Sequence, residues 1–231
     1  MSFLERENEI LKFLDYIVEK RVDFIVVGGY AVSSLGKHRF SVDCDLTISK
    51  KQLKAMTDAL LTNNFEKAIE KRRFDQIYGG EFMNFKKLIG GFPITIDLLI
   101  DSLVCRSTAA AWSYDYITKE SIVMNVSGLE MAVRCKVPKK EMLIAFKIHA
   151  GRKTDIRDFI MLQENVDLQT IIKYITKGNI TILKSQINHM LKLLDDPNLV
   201  DSLKGVFSLK GEVERQIETA KKLLIQILNS L

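Results

Sequence analysis

The chain has 231 residues, 47% of them hydrophobic, which is enough for one large or two small domains with a sizeable core. No apolar run approaches the roughly 18 residues that a membrane helix needs, and the acidic N-terminus, with Glu5, Glu7 and Glu9, is wrong for a signal peptide. The three cysteines are odd in number and widely spaced, so we expect reduced thiols in a cytoplasmic protein without a membrane segment.

Hydrophobic periodicity changes character near Pro138, which divides the chain into two predicted domains. We predict helices over 4–20, 30–35 and 50–62, and strands over 23–27, 41–48, 75–78, 81–85, 93–100 and, as short edge strands, within 115–128. Helical periodicity then runs to Leu231 and predicts four to six helices. The predicted fold is therefore α+β, with a small mixed sheet flanked by helices in residues 1–135 and an all-helical domain in residues 136–231.

The two predicted domains differ in charge. Residues 1–135 hold 18 basic and 18 acidic side chains, whereas residues 136–231 hold 16 and 11, so the whole net charge of +5 lies in the helical half. This excess could attract a polyanion such as RNA, or it could simply be the solvated surface of the helices.

The most informative motif is Val26–Val32 (VVGGYAV) followed by Asp43-Cys44-Asp45. Residues i and i+2 of a strand point to the same side, so Asp43 and Asp45 should lie side by side while Cys44 and Leu46 face the core. Two adjacent carboxylates repel each other unless a positive charge lies between them, and a divalent metal ion is the economical partner.

A third carboxylate, Asp97, occupies the apolar run 94–100 (ITIDLLI). A charge in such a strand is costly unless it is paired or bound to metal. Asp43, Asp45 and Asp97 together could hold two Mg²⁺ ions, or Mn²⁺ in their place, about 4 Å apart, as in-line displacement at phosphorus requires. The alternative for Asp97 is an ion pair with a buried arginine or lysine.

Four further residues are candidates for phosphate binding. Gly28 and Gly29 stand at a strand-to-helix turn, where backbone N–H groups can hold phosphate oxygens, although two glycines are usually only a turn. Arg39 could contact a phosphate, balance Asp43 and Asp45, or lie on the surface. Lys147 lies within the apolar face of a predicted helix, so its ammonium either snorkels or reaches into a cleft to bind a triphosphate.

Arg152, Asp155 and Asp158 follow closely after Lys147. The two carboxylates are three residues apart and could orient Lys147 or Arg152 as supporting residues around the site. Alternatively, Asp155 caps the next helix and Asp158 favours its dipole.

These residues resemble the nucleotidyltransferase superfamily of the DNA polymerase β type. Its pattern is an apolar residue with Gly-Gly or Gly-Ser, then Asp-x-Asp or Asp-x-Glu, and a third acidic residue on a later strand. Here Val27-Gly28-Gly29, Asp43-Cys44-Asp45 and Asp97 match it.

The stretch GGYAVSSLGKHRFSVDCDL is similar to the AbiEii/MNT-like branch of that superfamily. This branch often shows Arg-x-Ser/Thr-x-Asp-hydrophobic-Asp, matched by Arg39–Asp45, and a downstream lysine helix with a Lys-x-Asp-x-x-Asp-like element, matched by Lys147 and Lys153–Asp158. The resemblance covers roughly residues 20–165.

The resemblance implies a nucleotidyltransferase-like fold and Mg²⁺-dependent transfer of a nucleoside monophosphate from an NTP to an acceptor hydroxyl. Asp43 and Asp45 would bind the metals, and Asp97 would complete the site and help deprotonate the acceptor. Gly28 and Gly29 would hold phosphates, and Lys147 the triphosphate. One departure is Gly29, since many members carry serine at this position.

The acceptor is left open between two chemistries. Members of the AbiEii-like branch include toxins of toxin–antitoxin pairs that add nucleotides to tRNA, which would imply tRNA as acceptor and an antitoxin protein as partner. Antibiotic adenylyltransferases with a Gly-Gly-x-Ala-Val start would imply a small hydroxylated acceptor.

A different hypothesis is a catalytically inactive regulator that binds a nucleotide or a partner. The C-terminal helices could form a homodimer under any of these hypotheses.

Overall fold

The computed structural model describes residues 3–71, 79–211 and 213–231. The described residues form two compact units. The first comprises the described parts of Met1–Ser34, Phe40–Val104 and Ala111–Pro138, and the second comprises those of Leu35–Arg39, Cys105–Ala110 and Lys139–Leu231. The predicted domain boundary at residue 135 falls inside a strand, three residues before the first unit ends.

The chain up to Pro138 contains both helices and strands. Its helices are α1 (Phe3–Glu19), α2 (Gly28–Leu35), a 3-10 turn (Lys50–Gln52), α3 (Leu53–Thr62) and α4 (Tyr114–Lys119). Its strands are β1 (Ile25–Val27), β2 (Asp43–Ile48), β3 (Glu66–Lys71), β4 (Glu81–Ile89), β5 (Phe92–Ile100), β6 (Ser102–Cys105), β7 (Ala110–Ser113), β8 (Ser121–Ser127) and β9 (Ala132–Pro138).

The main sheet has five strands in the order β1-β2-β5-β4-β3. Only β2 and β5 pair in parallel, and the other neighbours are antiparallel, so the sheet is mixed. Two-stranded sheets of β6 with β7 and of β8 with β9 complete the strands described. The predicted α+β class is confirmed.

One face of β2 and β5 forms the core of the first unit. Side chains alternate along both strands, and those at Cys44, Leu46, Ile48, Ile94, Ile96, Leu98 and Ile100 are fully buried. Helix α1 adds buried apolar residues one turn apart, including Ile10, Leu14 and Ile17. Because the period of a strand is two, burial of this set turns Asp43, Asp45 and Asp97 to the opposite face of the sheet.

The regular structure of the second unit is mainly helical in the part of the chain that is described. They are α5 (Lys140–Ala150), α6 (Lys153–Leu162), α7 (Leu168–Ile175), α8 (Ile180–Leu194), α9 (Leu199–Phe207) and α10 (Glu214–Ser230). Gly151 ends α5 in the left-handed conformation that favours glycine after a helix. No helix in the described ranges combines the length and apolar character that crossing a bilayer demands.

Helix α4 and strands β3, β6, β7 and β9 were not predicted, and one predicted strand cannot be compared. Within 115–128 we expected only edge strands, but α4 forms first because the Ser113 hydroxyl accepts the Tyr116 N–H as an N-cap. Strand β3 was missed since almost every residue of EKAIEK is exposed, which leaves no apolar alternation. The strand predicted at 75–78 lies outside the described residues.

Candidate active site

The open face of the first unit carries polar side chains in two rows across the middle of the sheet. Asp45 of β2 lies directly opposite Asp97 of β5, which lies opposite Asn84 of β4. One step towards the start of β2, Asp43 lies opposite Thr95, which lies opposite Lys86. The parallel register of β2 and β5 therefore brings together three carboxylates that are up to 54 positions apart in the sequence.

Gly28 lies against the carboxylate of Asp45. Val27 pairs with Asp45, and the chain then turns into α2 with Gly28 at a φ of 65°, in the left-handed region. A Cβ at this position would lie 2.8 Å from Cγ of Asp45 and collide with its Oδ2. Glycine is therefore required twice here, for the backbone conformation and for the close approach of Asp45 to the start of α2.

Asp43 and Asp97 each accept a hydrogen bond from a side chain of the neighbouring strand. The Thr95 hydroxyl donates to Asp43 Oδ1 at 2.7 Å, and Asn84 Nδ2 donates to Asp97 Oδ1 at 2.5 Å. The second bond turns Asp97 towards β4, on the side away from β2. Partial burial raises the pKa of Asp97, the Asn84 hydrogen bond lowers it, and the charge of Asp43 raises it further.

The donor atoms fit a hard divalent cation in type, because all are carboxylate oxygens on one face. Among the described residues, however, no three His, Cys, Asp or Glu side chains converge closely enough to form a metal site as they stand. The Asn84 hydrogen bond engages Oδ1 of Asp97, so Oδ2 is the oxygen that a cation would bind without breaking that bond.

Thr95, Asn84 and Lys86 were missed by the sequence analysis. Thr95 could have been found, because it stands two residues before Asp97 and so shares its face. Asn84 and Lys86 could not, because their place beside Asp97 and Thr95 depends on the register between β4 and β5. Lys86 is exposed, with Glu66 of β3 opposite it on its other side.

A second polar cluster lies inside the second unit, around Lys147 of α5. Its ammonium is 2.7 Å from Asp158 Oδ2 and 3.0 Å from Asp155 Oδ1, both on α6. All three side chains are almost completely buried. Although burial by itself lowers the pKa of Lys147, the two carboxylates raise it above its ordinary value, so the lysine is held as a cation.

Two arginines extend this cluster. Arg39 makes a two-pronged contact with Asp158, with Nε at 2.8 Å from Oδ1 and Nη2 at 3.1 Å from Oδ2. Arg152, which is largely exposed, donates from Nε to Asp155 Oδ2 at 2.7 Å, and its backbone N–H donates to the same oxygen at 3.1 Å. Burial raises the pKa of Asp155, but the side chains of Arg152 and Lys147 lower it below its ordinary value.

The two interpretations of Asp155 are thus compatible. It accepts the backbone N–H of Arg152 at the start of α6, as a capping residue does, and it also binds Lys147. Asp158 binds Arg39 and Lys147 together. Arg39 is therefore mostly buried in an ion pair, unlike an ordinary surface arginine. The roles of these residues in catalysis stay predictions.

Comparison with known proteins shows a shared fold. No protein-family model matches the chain, and no curated protein matches it. The crystal structure of JHP933 from Helicobacter pylori aligns with a TM-score of 0.52 and 16% identity, over 99% of this chain and 93% of that one. An H. pylori protein described as a "putative nucleotidyltransferase" aligns with a TM-score of 0.50 and 17% identity, over 99% and 95%.

The antibiotic-resistance factor ANT(2'')-Ia aligns at 16% identity over 82% of this chain and 89% of that one. Its TM-score of 0.40 is too low to support an argument. The two H. pylori structures show that the chain shares their fold, and the activity has to be argued from the site.

Proposed function

We propose that this protein is a nucleotidyltransferase that moves a nucleoside monophosphate from an NTP to an acceptor hydroxyl. The observation that carries the proposal is the single open face on which Asp43, Asp45 and Asp97 lie, with Asp45 and Asp97 in direct register and Gly28 against Asp45. Carboxylates concentrated on the solvent face of a sheet repel one another and add nothing to its core. Their arrangement is explained if they bind divalent cations.

Asp43, Asp45 and Asp97 would hold Mg²⁺, with Mn²⁺ as a substitute. Two bound ions would stabilise the negative charge that develops on the attacking and leaving oxygens of an in-line displacement. The Thr95 hydroxyl donates to Asp43 Oδ1, which leaves Oδ2 of Asp43 as the oxygen for an ion.

Asp97 is suited to take the proton of the acceptor hydroxyl. Its pKa is raised by partial burial and by Asp43, which makes its carboxylate more basic than an exposed one. In the reaction, a bond forms between the acceptor oxygen and the α-phosphorus, and the bond from that phosphorus to pyrophosphate breaks. The proton of the hydroxyl moves to Asp97, whose Oδ1 accepts from Asn84 and whose Oδ2 can take the proton.

Phosphate binding is proposed for the start of α2, where Gly28 and Gly29 have no side chains and backbone N–H groups at a helix N-terminus can hold phosphate oxygens. Lys147 is proposed to support the site by neutralising Asp155 and Asp158. Its ammonium already contacts both of these buried carboxylates, so a triphosphate would have to compete with them. The alternative is the direct contact between Lys147 and the triphosphate that the sequence predicts.

The experiment is incubation of the purified protein with Mg²⁺, each α-labelled NTP and total tRNA, beside Asp43→Ala. We expect label transfer by the wild type and none by the variant, which should stay folded because Asp43 is exposed and outside the core. Unchanged transfer by Asp43→Ala would overturn the assignment. Metal-dependent NTP binding without label on tRNA would favour a small hydroxylated acceptor, and no nucleotide binding would favour an inactive regulator.

A further inference from the structure

Strand β8 lies at the edge of a two-stranded sheet in the first unit. Within the described ranges it pairs with β9 alone, in one antiparallel register that uses all seven residues of Ser121–Ser127. Strand β9 in turn packs against α1 and β1. The N–H and C=O groups on the open side of an edge strand can pair with a further strand, so β8 is a candidate docking edge.

The sequence of β8, SIVMNVS, lacks the features that keep edge strands apart. It holds no charged residue and no proline, and its register with β9 contains no bulge. Val123 is 51% exposed and Ile122 is 37% exposed, although both side chains are large and apolar. A short, uncharged segment that is rich in β-branched residues pairs readily with another strand. A surface cavity of about 510 Å³ is lined by four residues of the strand together with Ser34 and Arg134, the four being Val123, Met124, Asn125 and Ser127.

The segment is complementary to a second copy of itself. In an antiparallel pair centred on Met124, each residue meets the one that mirrors it about the centre, so every residue of both strands is paired. Met124 meets its own counterpart, Ile122 meets Val126 of the second copy, and Val123 meets Asn125 of the second copy. Apolar side chains therefore meet on one face, and no charge lies opposite a like charge.

This register continues the buried face of the sheet. Val126 is fully buried, and Ile122 points to the same side because the two residues are four positions apart in one strand. Val137 of β9, which lies opposite Ile122, is also fully buried, whereas Ile122 itself stays partly exposed. Val126 of a second copy would lie beside Ile122 and cover it. Burial of such exposed apolar surface is the dominant favourable contribution to most protein association.

The charges on β9 do not oppose this pairing. Arg134 lies opposite Asn125 and Lys136 lies opposite Val123, so both cations stand one strand back from the open edge. Three strand spacings of about 4.8 Å, or about 14 Å in all, would separate them from their counterparts in a second copy. This distance exceeds the Debye length of about 8 Å at physiological ionic strength, so their mutual repulsion is largely screened.

We propose that two copies of this protein associate through β8, which joins their two-stranded sheets into one four-stranded antiparallel sheet with a twofold axis at Met124. Because β9 is already packed against α1 and β1, each copy offers one open edge of this sheet. The pairing therefore closes at a dimer and does not continue into a fibre. The proposal is independent of nucleotidyl transfer, and it uses a surface other than the C-terminal helices, which the sequence made candidates for a homodimer.

Sedimentation equilibrium of the full chain measures the Kd of the dimer, and paired charges test the register. In Val123→Asp/Asn125→Asp, two pairs of like charges would lie directly opposite each other across the twofold axis. We expect the Kd of this variant to rise on the order of 10-fold above that of the wild type. In Val123→Lys/Asn125→Asp the same two pairs carry opposite charges, so the dimer should be retained, and high salt should narrow the difference between the two variants.

Both double variants should stay folded, because Val123 and Asn125 are exposed. Circular dichroism of each variant checks this. The two variants differ only at residue 123, so a difference between their Kd values reports the charge that meets residue 125 of the second copy.

Met124→Cys supplies a second test, because a residue on the twofold axis meets its own counterpart. Opposed Cβ atoms of an antiparallel pair lie about 4.5–5.5 Å apart, close to the span of a disulfide, so mild oxidation should give a cross-linked dimer on a non-reducing gel. Asn188→Cys, at an exposed position of α8, is the matched control and should run as a monomer. The wild type, in which Cys44 and Cys135 are buried, gives the background.

Ile225→Lys tests the alternative surface. Ile225 of α10 is 41% exposed, and a charge at this position should leave the β8 dimer intact. Three results would overturn the proposal: a wild type that is monomeric at every concentration, equal Kd values for the two double variants, or a wild-type dimer that Met124→Cys does not cross-link. A dimer that is lost in Ile225→Lys and kept in Val123→Asp/Asn125→Asp would assign self-association to the C-terminal helices and overturn it as well.

Discussion

At the scale of single residues, Gly28 is the position where the backbone and the candidate site constrain each other most directly. We predict that Gly28→Ala abolishes nucleotidyl transfer and lowers the free energy of unfolding by about 1–3 kcal/mol. The new methyl group collides with the Asp45 carboxylate, and alanine is strained in the left-handed backbone conformation of this position. Urea unfolding and the labelled-NTP assay measure the two effects separately.

Gly79→Ala supplies the control for this substitution. Gly79 has a φ of 67°, nearly that of Gly28, but a Cβ there would meet nothing within 4 Å. Gly79→Ala should lower the free energy of unfolding through backbone strain but should leave nucleotidyl transfer unchanged. If both variants lose activity equally, the close approach to Asp45 is not what Gly28 provides.

Asp158 is the residue on which the charge balance of the second unit depends. We predict that Asp158→Asn lowers the free energy of unfolding by about 3–5 kcal/mol, because Lys147 and Arg39 lose the carboxylate that they share. Chemical denaturation at neutral pH tests this. Asp201→Ala removes an exposed carboxylate from the first turn of α9 and should cost less than about 1 kcal/mol, so similar losses in the two variants would contradict the shared-carboxylate interpretation.

At the scale of elements, a buried histidine joins α5, α7 and the segment 105–110 within the second unit. The Thr108 hydroxyl lies 2.7 Å from His149 Nδ1, and His149 Nε2 lies 2.8 Å from the Ile175 carbonyl. Because a carbonyl can only accept, Nε2 carries the proton and Nδ1 accepts from Thr108. Burial lowers the pKa of His149 to about 4, with the Ile175 bond opposing that shift.

This histidine predicts loss of stability in mild acid. Between about pH 6.5 and 4 the unfolded chain binds a proton at His149 that the folded chain does not, so the free energy of unfolding falls as pH falls. The loss approaches about 3 kcal/mol at pH 4. Urea titrations from pH 7.5 to 4 measure it.

His149→Gln should be less stable at pH 7 but should lack this part of the pH dependence. Exposed His189 gives the control, and His189→Gln should retain the wild-type profile. An unchanged slope in His149→Gln would show that other groups cause the acid sensitivity.

How far the elements could be predicted depended on whether one face was buried. The strand over 93–100 was recognisable because every second residue of β5 is fully buried from Ile94 to Ile100. The same alternation predicted which way Asp97 points. Strand β3 has no buried face, so its sequence shows no hydrophobic alternation. Helix α4 has only six residues, and the propensities of so short a segment do not distinguish a helix from a strand.

At the scale of the whole molecule, the open carboxylate face predicts that divalent cations stabilise the protein. Mg²⁺ at about 100 times its Kd should add about 2.7 kcal/mol per site to the free energy of unfolding, and EDTA should reverse the gain and stop transfer. Thermal unfolding with and without Mg²⁺ measures this independently of activity.

The double variant Asp45→Asn/Asp97→Asn removes the two carboxylates that lie in register and keeps their size. It should unfold at the same temperature with and without Mg²⁺. A full Mg²⁺ response in that variant would place the cation elsewhere.

The sequence by itself determined the alternating faces of β2 and β5, the turn at Gly28, and the charge excess after residue 135, because these follow from local periodicity and composition. Only the tertiary structure decided which residues meet. Parallel pairing placed Asp45 opposite Asp97, antiparallel pairing brought Asn84 to Asp97, and Arg39 found Asp158 across 119 positions. Register and long-range ion pairs are settled by packing of the whole chain, which leaves no local pattern to detect.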